Sequence, residues 1–312
     1  MQDKLPDENT VVAIKRSFYT SFDHKVILER CEQVDCDFCG SPERTPIIVE
    51  NDFNVVTCAR CGLVYVTPQP IAEDLPAFYE NMYSGQSEED EAASTLGFVE
   101  RHLTRLIQRE RPAGGDFLEI GCGYGKFLRA MQPLPWRLTG LEISQTAIDK
   151  ARTFAPNATI IQGEVYTAEF EPASFDCITL IAVFEHLKQP RLAIERMLKW
   201  LRPGGLLIIQ VPYAAPYVRL KRYLPWLPIY FEAPRHLFDF SPKVLRSYYR
   251  AAGLEGVQVE IARPYTSPSK IGTWLIWGIK IPGLVLYALT GRRYIYPFAA
   301  ASVAYGTYPK RA

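Results

Sequence analysis

The chain has 312 residues, 48% of them apolar and 22% charged, which excludes a peptide, a disordered chain or a fibre and leaves material for one large domain or two modest ones. Lys and Arg number 35 against 34 for Asp and Glu, so a net charge of +1 supplies no global field for nucleic acid or an anionic surface. Seven cysteines follow an N-terminus without the basic start and apolar run of a signal peptide, so a reducing, cytoplasmic compartment is expected rather than a secreted disulfide scaffold.

In chain order, the first signal is two C-x-x-C steps, Cys36-Asp37-Phe38-Cys39 and Cys58-Ala59-Arg60-Cys61, separated by 18 residues and each followed by a glycine, Gly40 and Gly62. This spacing lets both sulfurs of a tight turn face one ion and lies in the range of a four-thiolate zinc site. Four thiolates saturate tetrahedral zinc and leave no position for water, so Cys36, Cys39, Cys58 and Cys61 are expected to hold a structural Zn2+. Cys31 reads as an ordinary free cysteine, and Cys122 and Cys177 as small core residues. Between Cys36 and Cys61 the basic residues are Arg44 and Arg60, too few for a phosphate track.

The acidic run Glu88-Glu89-Asp90-Glu91 reads as a solvated linker that divides a first segment, 1–86, from a second, 87–312. Past a helix over 95–108, short apolar runs at 117–120, 137–141, 159–162, 175–180, 206–211, 256–261 and 302–308 are expected as strands. Helices lie between them. One opens near Pro190, carries Ile194, Met197, Leu198 and Leu201 on one face, and ends before Pro203-Gly204-Gly205; another starts at the cap Ser241-Pro242 and closes at Gly253. Such alternation predicts an α/β fold in which a mainly parallel sheet carries helices on both faces.

The turn after the first of these strands reads Glu119-Ile120-Gly121-Cys122-Gly123-Tyr124-Gly125, with Lys126 where a dinucleotide fingerprint would place its last glycine. Glycines allow a ligand to approach the backbone, while Glu119 supplies a carboxylate suited to a cationic amine rather than a pyrophosphate. Glu142, at the end of the next strand and followed by Ile143, can take both hydroxyls of a ribose. Gly163-Glu164-Val165, after the third strand, offers an acceptor for an exocyclic amine such as that of adenine. An aminoacyl group, a ribose and an adenine together describe S-adenosylmethionine.

Those residues, with Phe175-Asp176, Phe184-Glu185-His186-Leu187 and Leu201-Arg202-Pro203-Gly204-Gly205, resemble the class I S-adenosylmethionine-dependent methyltransferases over about residues 96–262 plus a final strand. The cysteine pairs, with Pro68 to Pro70 and Phe78-Tyr79 following, resemble the N-terminal zinc ribbon of some bacterial methyltransferases of polysaccharide, natural-product and lipid pathways. The resemblance implies a Rossmann-like seven-stranded sheet with an antiparallel last strand and the donor at the C-terminal edge. It implies cofactor contacts at Glu119, Gly121, Gly123, Gly125, Glu142, Ile143, Gly163, Glu164, Val165 and Val183.

Methyl transfer from a sulfonium needs an aligned acceptor and, for a hydroxyl, a base. His186 is the first candidate base, beside Glu185 just past the fourth strand; His236 is the second, near Glu232 and Arg235. Where nitrogen-specific members often carry an Asn/Asp-Pro-Pro-Tyr sequence this chain has Ala182-Val183-Phe184-Glu185, so oxygen or carbon is the expected acceptor atom. Inserts at 212–232 and 263–297 bring aromatic and apolar surface beside the donor. The run 271–290 has one charge, Lys280, and is broken by Gly278 and Pro282-Gly283, so it is not expected to span a membrane. Aromatics with Arg219, Lys221 and Arg222 in 216–231, and Trp274, Trp277 and Arg292-Arg293 in 271–293, suit peripheral contact with a membrane's inner face; the alternative is a buried cap or a dimer contact. The expected reaction is methyl transfer to a bulky small-molecule acceptor, a glycan, a lipid-linked sugar or a hydrophobic metabolite. The alternatives are an RNA methyltransferase with the ribbon as its grip, and a non-catalytic membrane-docking scaffold.

Overall fold

The computed structural model describes residues 11–19, 25–84, 97–221, 223, 230–261 and 301–310. The acidic run at 88–91, Arg222, Trp226 and the insert at 263–297 with Trp274 and Trp277 lie outside the described residues. The elements are β1 (Val11–Tyr19), β2 (Lys25–Glu32), β3 (Arg44–Glu50), β4 (Phe53–Cys58), β5 (Val64–Thr67), β6 (Gln69–Pro70), α1 (Leu75–Ser84) and α2 (Gly97–Glu110). There follow β7 (Gly115–Ile120), α3 (Lys126–Met131), β8 (Trp136–Glu142), α4 (Gln145–Phe154), β9 (Thr159–Gln162), β10 (Phe175–Ile181) and α5 (Pro190–Trp200). The chain continues through β11 (Leu201–Pro212), α6 (Ala215–Lys221), β12 (Phe238–Asp239), α7 (Pro242–Ala251), β13 (Glu255–Ile261) and β14 (Ala301–Thr307).

The main sheet has seven strands in the order β13-β14-β11-β10-β7-β8-β9. β9, β8, β7, β10 and β11 run parallel, and β14 lies antiparallel between β11 and β13. The chain moves outward from β7 through β8 to β9, then returns to place β10 on the other side of β7. This reversal opens a crevice at the C-terminal ends of β7 and β10, where ligands of open α/β sheets bind.

Period-two alternation along the central strands divides their side chains between two cores. Leu118, Ile120, Ile178, Leu180, Leu207 and Ile209 pack with Ala193, Ile194 and Met197 of α5 and with Val244, Leu245 and Tyr249 of α7. On the other face Phe117, Cys177, Leu206 and Ile208 meet Leu103, Leu106 and Ile107 of α2, Phe127 and Leu128 of α3, and Ile148 of α4. Cys122 and Cys177 are buried in this second core, as read from the sequence, and Cys31 is buried in a third cluster with Phe53 and Val66. α7 is capped as expected, Ser241 Oγ accepting from Val244 N–H, and it stops at Gly253, whose φ is +76°.

β11 starts five residues earlier than the pattern suggests, at Leu201 rather than Leu206. Leu201 pairs with Phe175 and Leu206 with Cys177, so Arg202-Pro203-Gly204-Gly205 is a bulge within the strand rather than a stop before it. Gly205 suits the bulge, since a Cβ there would lie 2.7 Å from Leu201 Cγ.

The N-terminal part contains a sheet in the order β12-β5-β4-β3 and another in the order β1-β2-β6. β3 and β4 form a hairpin turned by Asn51 and Asp52, both in left-handed conformation with φ of 51° and 66°. At the hairpin end the Glu50 carboxylate accepts N–H bonds from Phe231, Glu232 and Ala233 at 3.0, 2.7 and 3.0 Å, and Asn51 donates to the Ala233 carbonyl. β12, which pairs with β5, comes from the segment after β11. Cys36, Val56, Cys58 and Tyr65 share a core with α5 and α7, and the Asp37 carboxylate accepts from the Tyr248 hydroxyl at 2.7 Å. The cysteine segment is thus packed into the larger sheet's core.

Candidate active site

At the C-terminal ends of β7, β8 and β10 lies an open-mouthed cleft. Its walls are mostly apolar, with Leu75 and Tyr79 of α1 facing Ile120, Leu141, Ile143, Val165 and Val183. Among the residues singled out by the sequence, Gly121, Glu142, Ile143, Gly163, Glu164, Val165, Val183 and His186 line it. Glu119, Gly123, Gly125, Glu185 and His236 are not in its wall.

The glycine turn has a steric reason. Gly121, at φ of 67°, would place a Cβ 2.5 Å from Val183 Cγ2, and Gly125 at φ of 75° stands at the N-cap of α3. A Gly121→Ala chain is expected to lose about 1–3 kcal/mol of stability and to push Val183 toward the cleft, read as a lower melting temperature together with weaker S-adenosylmethionine binding.

Glu142 is 3% exposed, and its carboxylate already serves the backbone around it. Oε1 accepts from Ile143 N–H at 2.9 Å and Ser144 N–H at 3.0 Å; Oε2 accepts from Gly123 N–H at 2.8 Å. A carboxylate offers about four lone-pair directions, so one remains open on Oε2, and a second ligand hydroxyl requires one of these amides to yield. Burial raises the Glu142 carboxyl above its usual range against the pull of those N–H groups. Glu119 is equally buried, its Oε2 has no hydrogen-bond partner, and burial first, then Glu100 and Glu142, push its carboxyl well above the ordinary value. Glu164 is half-buried in the cleft wall, with its carboxyl raised by burial.

After β10, Ala182 adopts φ of 52° and turns the chain into the short helical turn Phe184–His186. His186 Nδ1 lies 2.7 Å from the Arg235 carbonyl oxygen, which only accepts, so the ring donates from Nδ1 and keeps its lone pair on Nε2. His236 is held in the same way, with Nδ1 3.0 Å from the Phe231 carbonyl oxygen. Burial, then His236 and Arg235, lower His186 well below the usual histidine value; burial and Arg235 lower His236 to about 3. Burial raises the Glu185 carboxyl to about 8. The 3.9 Å separation of His186 Nε2 and Glu185 Oε1 therefore joins two neutral groups and is not an ion pair.

Residues 95–259, just over half of the chain, match the family described as methyltransferase domain. The chain belongs to that family. It is an S-adenosylmethionine-dependent methyltransferase, with the Rossmann-like sheet described above. The ubiquinone biosynthesis O-methyltransferase of Idiomarina loihiensis is 27% identical over 176 residues, covering 53% of this chain and 69% of that one. The enzyme of the same name from Xanthomonas axonopodis pv. citri is 25% identical over 185 residues, covering 55% and 76%. Among solved structures, a chain of the complex between the Haloferax volcanii Trm112 methyltransferase activator and a methyltransferase superposes with a TM-score of 0.50 at 20% identity, covering 72% of this chain and 96% of that one.

In this methyltransferase the four expected cysteines come together. Cys36 and Cys61 sulfurs are 3.4 Å apart and those of Cys39 and Cys58 3.6 Å, and all four sulfurs lie within 4.8 Å of one another. Disulfides would need about 2.05 Å, whereas tetrahedral zinc at about 2.3 Å from each sulfur sets edges of about 3.8 Å. Each C-x-x-C step closes as a turn, Gly40 N–H to Cys36 O at 2.8 Å and Gly62 N–H to Cys58 O at 3.0 Å, with both glycines at positive φ. Burial opposes ionisation at Cys58, but the backbone N–H groups of Cys61 and Arg60 outweigh it and lower the thiol to about 7.

The methyltransferase cleft also contains Leu75, Tyr166 and Lys188, which sequence reasoning missed, and Tyr79 and Arg235, to which it gave no place in the cleft. Phe78-Tyr79 had a signal only as part of the ribbon's pattern. α1 reaches the cleft because Glu80 Oε1 accepts from the Thr146 hydroxyl at 2.5 Å, which ties this helix to the start of α4. Among the described residues no helix is long and apolar enough to cross a membrane. Within 216–231, Val218 is buried with the N-terminal sheet and Arg219 donates to Thr57, whereas Tyr223 and Tyr230 are exposed.

Proposed function

We propose that the enzyme methylates an oxygen of a small molecule with a bulky apolar or lipid-linked body, seated in the cleft against His186. The observation that carries this reading is His186 itself, a cleft-wall side chain whose Nδ1–H bond to a carbonyl leaves a lone pair on Nε2. S-adenosylmethionine, when bound, supplies a sulfonium methyl open to in-line displacement. Glu142 and the Gly121–Gly125 turn would hold its ribose and aminoacyl parts, and Glu164 its exocyclic amine. The orphan Oε2 of buried Glu119 fits the cationic amine of such a ligand. A cationic amine beside Glu119 would favour its carboxylate form. His186 activates the acceptor hydroxyl, and the apolar walls exclude water and favour an acceptor with an apolar body. The names of the O-methyltransferase relatives support oxygen as the acceptor atom. Zinc in the cysteine cluster would be structural, since four thiolates leave it no open position.

Two measurements test this reading. Labelled methyl from S-adenosylmethionine is expected in the lipid, glycan or small-metabolite fraction of a host extract, as an alkali-stable ether; label in RNA alone would overturn it. Glu142→Ala is expected to weaken donor binding by roughly 100-fold, since hydrogen bonds to a charged group are worth about 1.5–3 kcal/mol each, while zinc content stays unchanged. Equilibrium titration with S-adenosylmethionine checks it, and an unaltered affinity would remove the ribose assignment.

A further inference from the structure

The turn after β10 and the segment before β12, about fifty residues apart in sequence, are stitched together by two hydrogen bonds. Leu237 N–H donates to the Glu185 carbonyl at 2.9 Å, and His186 Nδ1–H to the Arg235 carbonyl at 2.7 Å. This stitching brings one carboxylate oxygen of Glu185 and one ring nitrogen each of His186 and His236 within 4.8 Å of one another. The two rings lie 4.9 Å apart, centre to centre.

We infer that Glu185, His186 and His236 form a divalent-cation site beside the cleft, with His186 its member in the cleft wall, distinct from the cysteine cluster. Three observations converge on it. Glu185 is 1% exposed and neither of its carboxylate oxygens has a hydrogen-bond partner, a cost that a coordinated cation removes. Both imidazoles donate Nδ1–H to main-chain carbonyls, which leaves both Nε2 lone pairs available; this is the outer arrangement that orients histidine ligands on metals. The separation of His186 Nε2 and Glu185 Oε1, 3.9 Å, is within the span of two ligands on one ion at about 2.1 Å each. Beside the cluster, Glu232 Oε2 accepts from Arg235 at 2.9 Å and lies 3.9 Å from His236 Nε2, while the Asp239 charge adds to burial in raising the Glu185 carboxyl.

Two imidazoles and a carboxylate suit ions such as Mn2+, Fe2+, Co2+ or Zn2+, and three protein ligands leave positions open. His186 lies in the cleft wall, so an acceptor oxygen in the cleft can fill one of them. An oxygen bound to a divalent ion gives up its proton more readily, so the ion would convert the acceptor hydroxyl to the alkoxide or phenolate, with the proton leaving to water. The inference rests on the proposed role of His186 and specifies how that side chain activates the acceptor.

The test uses the full chain with its cysteine site loaded with zinc, titrated with Mn2+ and followed by the electron paramagnetic resonance of free Mn2+. Manganese is chosen because thiolates bind it poorly compared with nitrogen and oxygen ligands. One Mn2+ per chain is expected to bind, and Glu185→Gln and His236→Gln are each expected to weaken it at least tenfold while S-adenosylmethionine affinity stays within about twofold. Absence of Mn2+ binding to the parent chain, or binding unchanged in both variants, would overturn the site. Methyl transfer assayed with and without Mn2+ separates the two readings. Transfer to oxygen that Mn2+ leaves unchanged and both variants retain discards the cation and keeps the methyltransferase assignment, whereas Mn2+ binding without transfer to oxygen discards the acceptor assignment.

Discussion

Replacing His186 with glutamine is expected to slow methyl transfer by roughly 10²–10⁴-fold, the usual contribution of a positioned acid or base, with S-adenosylmethionine affinity nearly unchanged. Three facts carry this expectation. His186 is in the cleft wall next to Val183, whereas His236 is not. The Arg235 carbonyl fixes the ring with its lone pair on Nε2. Burial disfavours the imidazolium, so the basic form persists through neutral pH. Glutamine keeps volume and a donor but loses the basic nitrogen, and so separates chemistry from packing. Single-turnover rates alongside donor titration make the comparison, and a rate within threefold of the parent would dismiss His186 from the chemistry.

Cys58→Ser should produce the largest loss of stability. Structural zinc in thiolate sites contributes about 10–16 kcal/mol in small peptides, and loss of a metal ligand belongs to the mechanisms that cost more than about 4 kcal/mol. At about 2–4 °C per kcal/mol for a domain of this order of size, the melting temperature should fall by roughly 10 °C. The effect is expected to reach beyond the ribbon. Cys58 ends β4, which pairs with β5; β5 pairs with β12; and Cys58 and Cys36 share a core with Phe184, Tyr248 and Tyr249. The variant should therefore lose its metal and also weaken donor binding, because β12 and the turn after β10 are stitched together beside the cleft. Metal analysis combined with calorimetry checks this, and a chain that unfolds at the parent temperature with no metal would show that the thiolates are dispensable.

The residues themselves determined much of this protein. Strand patterns set by period two, the glycine turn at Gly121, Gly123 and Gly125, the caps at Ser241 and the paired C-x-x-C steps are local features, dictated by backbone sterics and hydrogen bonding within a few residues. They sufficed for the seven-stranded sheet, for the four sulfurs gathered at one point and for the members of the cleft that lie on strand ends. Boundaries drifted where a local stop signal met a tertiary pairing, as at Pro203-Gly204-Gly205, which Phe175 and Cys177 absorb as a bulge.

Only the tertiary structure decided what arrives from a distance. Tyr79 and Leu75 enter the cleft because Glu80 is hydrogen-bonded to Thr146, and Arg235 because its carbonyl holds His186. The sequence named Glu185, His186 and His236 separately as catalytic candidates, yet no spacing rule relates positions fifty residues apart. Their convergence follows from two cross-segment hydrogen bonds. The fusion of the cysteine segment to the larger sheet depends likewise on a two-residue strand, Phe238–Asp239, and on the Glu50 carboxylate meeting three N–H groups. Such contacts form between segments whose separate sequences carry no sign of each other, because it is the burial of both cores that brings them within hydrogen-bonding distance.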